Sequence, residues 1–353
     1  MGTFAALCVS LAAGTAVAAE PDSVKPKWTE RLYEMVKEWG SVDTAYVEPQ
    51  HYNYSAMVQN TNTYEQYYLS DGKGLSVTLS PEMSVKMGPY FGWRWVFLGY
   101  TFDLSHIGDG NKDRDFNLSL YSNQVGIDLF YRNTGHNYKI RSMSLGEGVD
   151  TRPLRGVKFD GLRASVKGFN LYYIFNHKRF SYPAAFSQST CQRRSQGSFL
   201  AGVGYTKHSL ALDYTRLGET ITRTLGPGVS VKGADSTLVS GKVEYTDLSV
   251  SGGYAYNWVF ARNWLAAASL SLAAGYKHAT NDSRHRSFTL RDFSMENFNI
   301  DGVARLGIVW NNTKWYAGAS AVFHSYNYSK DRFSANTVFG NINIYAGFNF
   351  SRR

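Results

Sequence analysis

Beyond the Asp-Gly-Lys-Gly segment at 71–74, apolar and polar residues alternate with a period of two almost to the C-terminus. Between Asn299 and Trp310, the residues Ile300, Gly302, Ala304, Leu306, Ile308 and Trp310 share one face, while Asp301, Arg305 and Gly307 share the other. That period belongs to a β-strand, whose successive side chains point to opposite faces. The alternation predicts strands near 74–88, 92–104, 116–132, 159–176, 197–215, 243–260, 263–278, 297–310, 314–328 and 336–350. Slips in the pattern at Gly168-Phe169 and Lys207-His208 read as bulges. Such strands are longer than the ~5–6 residues usual in soluble sheets.

Alternation alone does not separate a half-buried sheet from a barrel in lipid; the connections do. "VFARNW" (Val259 to Trp264) and "VWNNTKW" (Val309 to Trp315) are tight turns flanked by aromatic residues. The connections at 216–242, 277–298 and 325–335 are longer and polar. Short turns on one side, long loops on the other and aromatic residues at strand ends are the pattern of an outer-membrane barrel. The last strand, "NTVFGNINIYAGFNFSRR", alternates strictly and resembles the aromatic-ending strand presented to the barrel assembly machinery, departing from it in that Ser351, Arg352 and Arg353 follow the last Phe. The expected fold is therefore all-β, an antiparallel transmembrane β-barrel of about ten strands, with eight to twelve compatible with the same pattern. Its inward set, including Asp128, Arg163, Lys167, Asp301 and Arg305, carries both signs, which suits a salt-bridged filling better than an open pore.

Upstream the texture differs. "KWTERLYEMVKEWG" places Trp28, Leu32, Met35, Val36 and Trp39 on one face of a short amphipathic helix ended by Gly40. The start, an apolar core followed by small residues and then Glu20-Pro21, reads as a signal peptide over residues 1–19. Residues 20–72 then form a helical and extended segment, periplasmic or lumen-plugging, ahead of a barrel at 73–353. Past the first twenty residues no apolar stretch approaches the ~18 residues that a spanning helix needs.

Composition narrows the chemistry. Twenty-five Tyr and eight Trp suit wide amphipathic belts. Cys8 lies in the leader, so Cys191 is the one remaining thiol, which excludes an intrachain disulfide or a cysteine metal site. The net charge of +9 is scattered, and secretion argues against nucleic acid as a partner. Outer-membrane lipid, lipopolysaccharide, the assembly machinery and an envelope protein are the partners expected, and no cofactor is expected. The basic run Lys139, Arg141, Arg152, Arg155 and Lys158 would meet lipopolysaccharide phosphates.

Catalytic and metal motifs are thin. His285 and Ser287 stand two apart with Glu296 nearby, the spacing used by lipid-modifying barrels, but with eight His such a pair arises about once by chance. Asp109, Asn111 and Asp113 occupy alternate positions of a calcium loop, yet Arg114 stands where Gly is required and Leu120 where a bidentate Glu is required.

The connection "NHKRFSYPAAFSQSTCQRRSQGS" (Asn176 to Ser198) falls on the short-turn side, yet runs about twenty residues with an uncharged apolar centre. It is expected to close the periplasmic mouth as a plug or to dock another protein, through Tyr182, Pro183, Phe186, Gln188, Arg193 and Arg194. Together with "GWRWVFLGYTFDL" and "VGIDLFYRNTG", the stretch from Tyr172 to Gly202 resembles a family of Bacteroidetes proteins described as a domain of unknown function and regarded as outer-membrane barrels. The resemblance implies a Gram-negative outer membrane and brings no activity or site residue. The function expected is that of a non-enzymatic structural, adhesive or partner-docking envelope protein. A narrow transporter or channel for a hydrophobic or small polar ligand is the alternative, and a lipid-modifying enzyme comes third.

Overall fold

The computed structural model describes residues 41–70, 74–93, 96–99, 102–103, 114–134, 137–227, 229, 241–279, 298–330 and 333–352. The leader, the helix expected before Gly40, the calcium-like loop and the loop at 280–297 lie outside the described residues.

The described chain is almost entirely strand. In order it forms β1 (Val47–Pro49), β2 (Tyr52–Ser70), β3 (Leu75–Pro81), β4 (Ser84–Trp93), β5 (Val96–Gly99), β6 (Phe102–Asp103), β7 (Arg114–Tyr121), β8 (Val125–Thr134), β9 (Tyr138–Leu145), β10 (Lys158–Phe159) and β11 (Leu162–Ile174). After a short helix α1 (Tyr182–Phe186) come β12 (Thr190–Gln192), β13 (Gln196–Leu212), helix α2 (Tyr214–Leu225), β14 (Gly241–Ala261), β15 (Trp264–Ala279), β16 (Phe298–Asn311), β17 (Trp315–Lys330) and β18 (Phe333–Arg352). The main sheet runs antiparallel along β7, β8, β11, β13, β14, β15, β16, β17, β18 and β2, and β2 then pairs β4 near its start and β3 near its end. Among the described residues, β5 and β6 share no ladder with β7, so the path is not closed.

The faces are inverted relative to a water-soluble sheet. Along β16, Asp301 and Arg305 are buried while Ile300, Leu306 and Ile308 are 68%, 54% and 46% exposed. Along β14, Asp247 and Asn257 are buried, and Leu248, Val250 and Trp258 are exposed. A soluble protein would lose the hydrophobic stabilisation of every such outward side chain; a lipid-facing one does not. At the short-turn end, Tyr54, Phe91 and Phe350 lie together, as do Trp258, Phe260 and Trp264, forming an aromatic fringe around the outside. The turns there are set by asparagine. Asn312 Oδ1 accepts from the backbone N–H of Lys314 and Trp315, and Asn263 takes the left-handed conformation this residue tolerates.

Several sequence expectations need correction. The sheet starts at Tyr52, well before residue 73, because β2 forms a ladder with β18 along nearly its whole length. The single strand expected over 116–132 is two, β7 and β8, folded back at Ser122 to Gln124. The connection after β8 carries a further strand, β9, which pairs β3. No register shift occurs at Gly168 or Lys207, since β11 and β13 pair evenly from Leu162↔Leu212 to Ile174↔Leu200. Irregularities fall instead at Thr78/Leu79 and Val259/Ala261. Arg163 and Lys167 are exposed, on the outer face of β11. Even register keeps them in phase with Phe169 and Leu171, which are also outward.

The long-loop end is closed by an apolar core. The segment at 216–242, expected as loop, opens with α2, capped at its N-terminus by Asp213, whose Oδ1 accepts from Arg216 N–H, and stopped at Gly226 with a φ of 98°. Leu217 and Ile221 of α2 are fully buried against Leu69, Leu79, Tyr138, Leu154, Leu162 and Tyr245. Each such side chain contributes roughly 1.5–3 kcal/mol.

Candidate functional site

The connection between β11 and β13 enters the inner face of the sheet. Its neck is fixed where Asn176 donates from its backbone N–H to Ser198 Oγ and from Nδ2 to Gly197 O, both at 2.9 Å. Ser181 then caps α1, accepting from Ala184 N–H, and Pro183 supplies a φ suited to the first helical turn. The result places Tyr182 and Pro183 among buried residues, with Phe186 partly buried and Gln188 3% exposed.

Tyr182 organises the contact. Its ring lies parallel to that of Tyr121, with centroids 5.8 Å apart, and its hydroxyl sits 2.5 Å from Ser269 Oγ on β15. Arg305 of β16 lies over the faces of Tyr172 and Tyr182, 5.0 and 5.9 Å from their centroids. The same guanidinium forms an ion pair with Asp128 of β8, which also accepts from Ser119 Oγ at 2.7 Å. Gly126 makes room for this, since a Cβ there would overlap the Tyr172 ring. Nearer the long-loop end, Lys277 pairs with Asp301 at 2.8 Å and stands over Tyr245, which stacks on His208 and Tyr328. Both ion pairs are almost wholly withdrawn from solvent, so each charge depends on its partner.

Below α1 the connection is strapped from outside. β1 pairs β12 through Val47↔Gln192, Glu48↔Cys191 and Pro49↔Thr190. Asp43 forms an ion pair with Arg179 at 3.2 Å, and the guanidinium groups of Arg179 and Arg194 lie over the Tyr46 ring, 5.0 and 5.5 Å from its centroid. Gln192 is the hub: its Oε1 accepts from Ser181 N–H and Asn257 Nδ2, and its Nε2 donates to Arg179 O and Arg194 O. Arg193 pairs with Glu48 and donates to Asn263 Oδ1 in the β14–β15 turn. Partial burial pushes the Glu48 carboxyl up, but hydrogen bonds from His51 and Arg193 outweigh it and leave it below the usual glutamate value. Burial drives the Cys191 thiol up to about 12.

The sequence candidates are thus divided. Tyr182, Pro183, Phe186 and Gln188 face inward, whereas Arg193 and Arg194 belong to the strap. Lys139 and Lys158 are cross-strand neighbours on β9 and β10, with Lys139 already paired to Glu82. Arg152 is held by Asp150, whose carboxyl its hydrogen bonds lower to about 2, and Arg141 and Arg155 are exposed. His285, Ser287, Glu296, Asp109, Asn111 and Asp113 lie outside the described residues. Sequence reasoning missed Tyr121, Tyr172, Asn257 and Gln192. Asn257, a carboxamide between Tyr256 and Trp258 at an inward position, was the one legible signal.

The described chain is all-β, with an apolar outer face and a charge-bearing inner face. The chain belongs to the DUF4421 family, a domain of unknown function, whose model matches residues 41–350. It matches no curated protein. Similar solved structures include the outer membrane protease OmpT from Escherichia coli, at 6% identity and a TM-score of 0.32, covering 84% of this chain and 97% of that one. The TodX monoaromatic hydrocarbon channel aligns at 12% identity and a TM-score of 0.26, covering 85% and 91%. The translocator domain of the autotransporter NalP from Neisseria meningitidis aligns at 10% identity and 0.28, covering 91% and 94%. A protease, a channel and a translocator among such distant neighbours select no activity.

Proposed function

We propose that the chain is an occluded barrel of a Gram-negative outer membrane, a structural or partner-docking envelope protein and neither a pore nor an enzyme. Counted as passes, β3 with β4 and β5 with β6 are each one strand with an interruption, which gives twelve passes and an even number, as single-chain outer-membrane barrels have. The short turns and the 175–195 connection then face the periplasm, and α2 and the β9–β10 hairpin face outward, where Lys139, Arg141, Arg155 and Lys158 meet lipopolysaccharide phosphates. The observation that carries the reading is the obstruction of the interior at three levels. Tyr182 occupies one end, α2 the other, and Arg305 bridges to Asp128 between them. The strap surface around Arg193, Arg194 and Tyr46 is the face offered to a periplasmic partner.

The orientation is tested by Arg194→Cys in a Cys191→Ser background, labelled with a membrane-impermeant maleimide. Labelling only after the outer membrane is permeabilised supports a periplasmic strap; labelling on intact cells overturns it. An unshifted gel band with and without boiling, or recovery in the soluble fraction, would sink the barrel itself.

A further inference from the structure

The connections at the short-turn end are basic. Their two carboxylates among the described residues, Asp43 and Glu48, are each already paired, with Arg179 and Arg193. Lys178, Arg194, Arg262, Lys314 and Arg352 are left with no ion pair among the described residues. Two of these cations share a pocket of about 640 Å³. The β14–β15 turn lines it with Arg262 and Asn263, the β16–β17 turn with Asn312, Lys314 and Trp315, and the strap with Arg193. No carboxylate stands on that lining among the described residues. The frame is held, because Asn311 donates from its backbone N–H to Asn263 O at 2.9 Å, and Arg193 donates to Asn263 Oδ1 at 3.0 Å. Glu48 neutralises Arg193, so Arg262 and Lys314 supply the open charge.

Trp315 joins this pocket to the outer wall. Its ring is 51% exposed and lies 5.2 Å from that of Phe348, within the aromatic fringe that marks headgroup level in a barrel. From Trp315 the outer face of β17 runs on as Ala317, Ala319 and Ala321. The register sets Ala319 between Ile308 and Ile344, and Ala321 between Leu306 and Ile342, all four of them exposed. A lane floored by methyl groups and walled by longer side chains therefore leads from the pocket into the apolar band. We infer that pocket and lane form one binding site for an anionic glycerophospholipid. Its phosphate is held by the fork of Arg262 and the ammonium of Lys314, and one acyl chain lies along the alanine lane, in contact with both walls. Two open cations favour a headgroup with net negative charge over a zwitterion, whose own ammonium they repel. Free phosphate or an acidic polypeptide would leave the lane unused. The inference rests on the barrel reading above and extends it, assigning a lipid class to one place on the wall.

The test is native mass spectrometry of the detergent-solubilised full chain, titrated with dioleoyl phosphatidylglycerol, dioleoyl phosphatidylcholine, glycerol 1-phosphate and poly-L-glutamate. A saturable phosphatidylglycerol adduct is expected, retained in preference to phosphatidylcholine. Arg262→Gln and Lys314→Gln should each weaken it about fivefold. Lys178→Gln, which removes a cation outside the pocket, should leave it unchanged, and Ala319→Trp, which blocks the lane, should weaken it. Heat-shifted gel mobility identifies the variants that remain folded, so lost binding is distinguished from misfolding. Equal retention of the two phospholipids, or retention indifferent to both pocket substitutions, would mean unspecific boundary lipid and overturn the site. Glycerol 1-phosphate bound as tightly as phosphatidylglycerol would overturn the lipid, leaving a phosphate site. Saturable binding of poly-L-glutamate without phosphatidylglycerol would give the face to an acidic protein instead. A wild-type chain without heat-shifted mobility would remove the barrel reading itself. If Arg194→Cys labels on intact cells while phosphatidylglycerol binding persists, the orientation is wrong and the site stands.

Discussion

Arg305 on β16 pairs with Asp128 on β8, two strands that stand five ladder steps apart along β8, β11, β13, β14, β15 and β16. The pair therefore spans the inner face and ties distant parts of the wall together. Breaking one side leaves an uncompensated buried charge, whereas removing both leaves only a packing defect. Asp128→Asn is expected to destabilise the fold by about 3–5 kcal/mol, and Asp128→Asn with Arg305→Met by less than the sum of the single substitutions. Urea midpoints of the refolded variants in detergent decide this; strict additivity would remove the pair's role.

Cys191 is buried beneath the strap, with its thiol pushed up to about 12 by burial. The thiolate is the reactive form, so at pH 8 the folded protein presents very little of it. In the chain from Glu20 onward, a thiol reagent should leave Cys191 unmodified until denaturant is added. Stoichiometric modification of the folded protein at that pH would mean that β1 does not cover β12.

The strap also carries a pH signature. The Glu48 carboxyl is depressed in the folded state, so its stabilisation is fully present above the ordinary glutamate value and is lost as pH falls through the depressed one. The group is partly exposed, which keeps the effect small. Proteolysis near residues 41–51 should therefore quicken as pH falls through the range just below 4.5, and Glu48→Gln should show the faster rate at neutral pH as well. A wild-type rate flat across that window, or a substitution without effect, would detach Glu48 from strap closure.

The positions and inverted faces of β14 to β18 were legible in the sequence because a period of two is a local property, and these strands express it with strong apolar contrast. β2 escaped for a physical reason. Its outward positions include Asn60, Asn62, Tyr64 and Gln66, so no apolar face stands out. α2 escaped because only Leu217, Ile221 and Leu225 mark its buried stripe, and tertiary burial with the Asp213 cap decides its conformation. The interior site was legible only in part. The uncharged centre of the 176–198 connection singled out Tyr182 and Gln188, but Asp128 and Arg305 lie 177 residues apart, and no local pattern pairs them.

Occlusion of the interior is tested most directly by planar-bilayer recording on the refolded full chain, with heat-shifted mobility confirming the fold of the same preparation. With Tyr182 and α1 seated at one end, α2 over the other and the Asp128–Arg305 pair between, insertion should produce no stable conductance steps. Reproducible unitary steps from the folded protein would show a continuous aqueous path and contradict an occluded barrel.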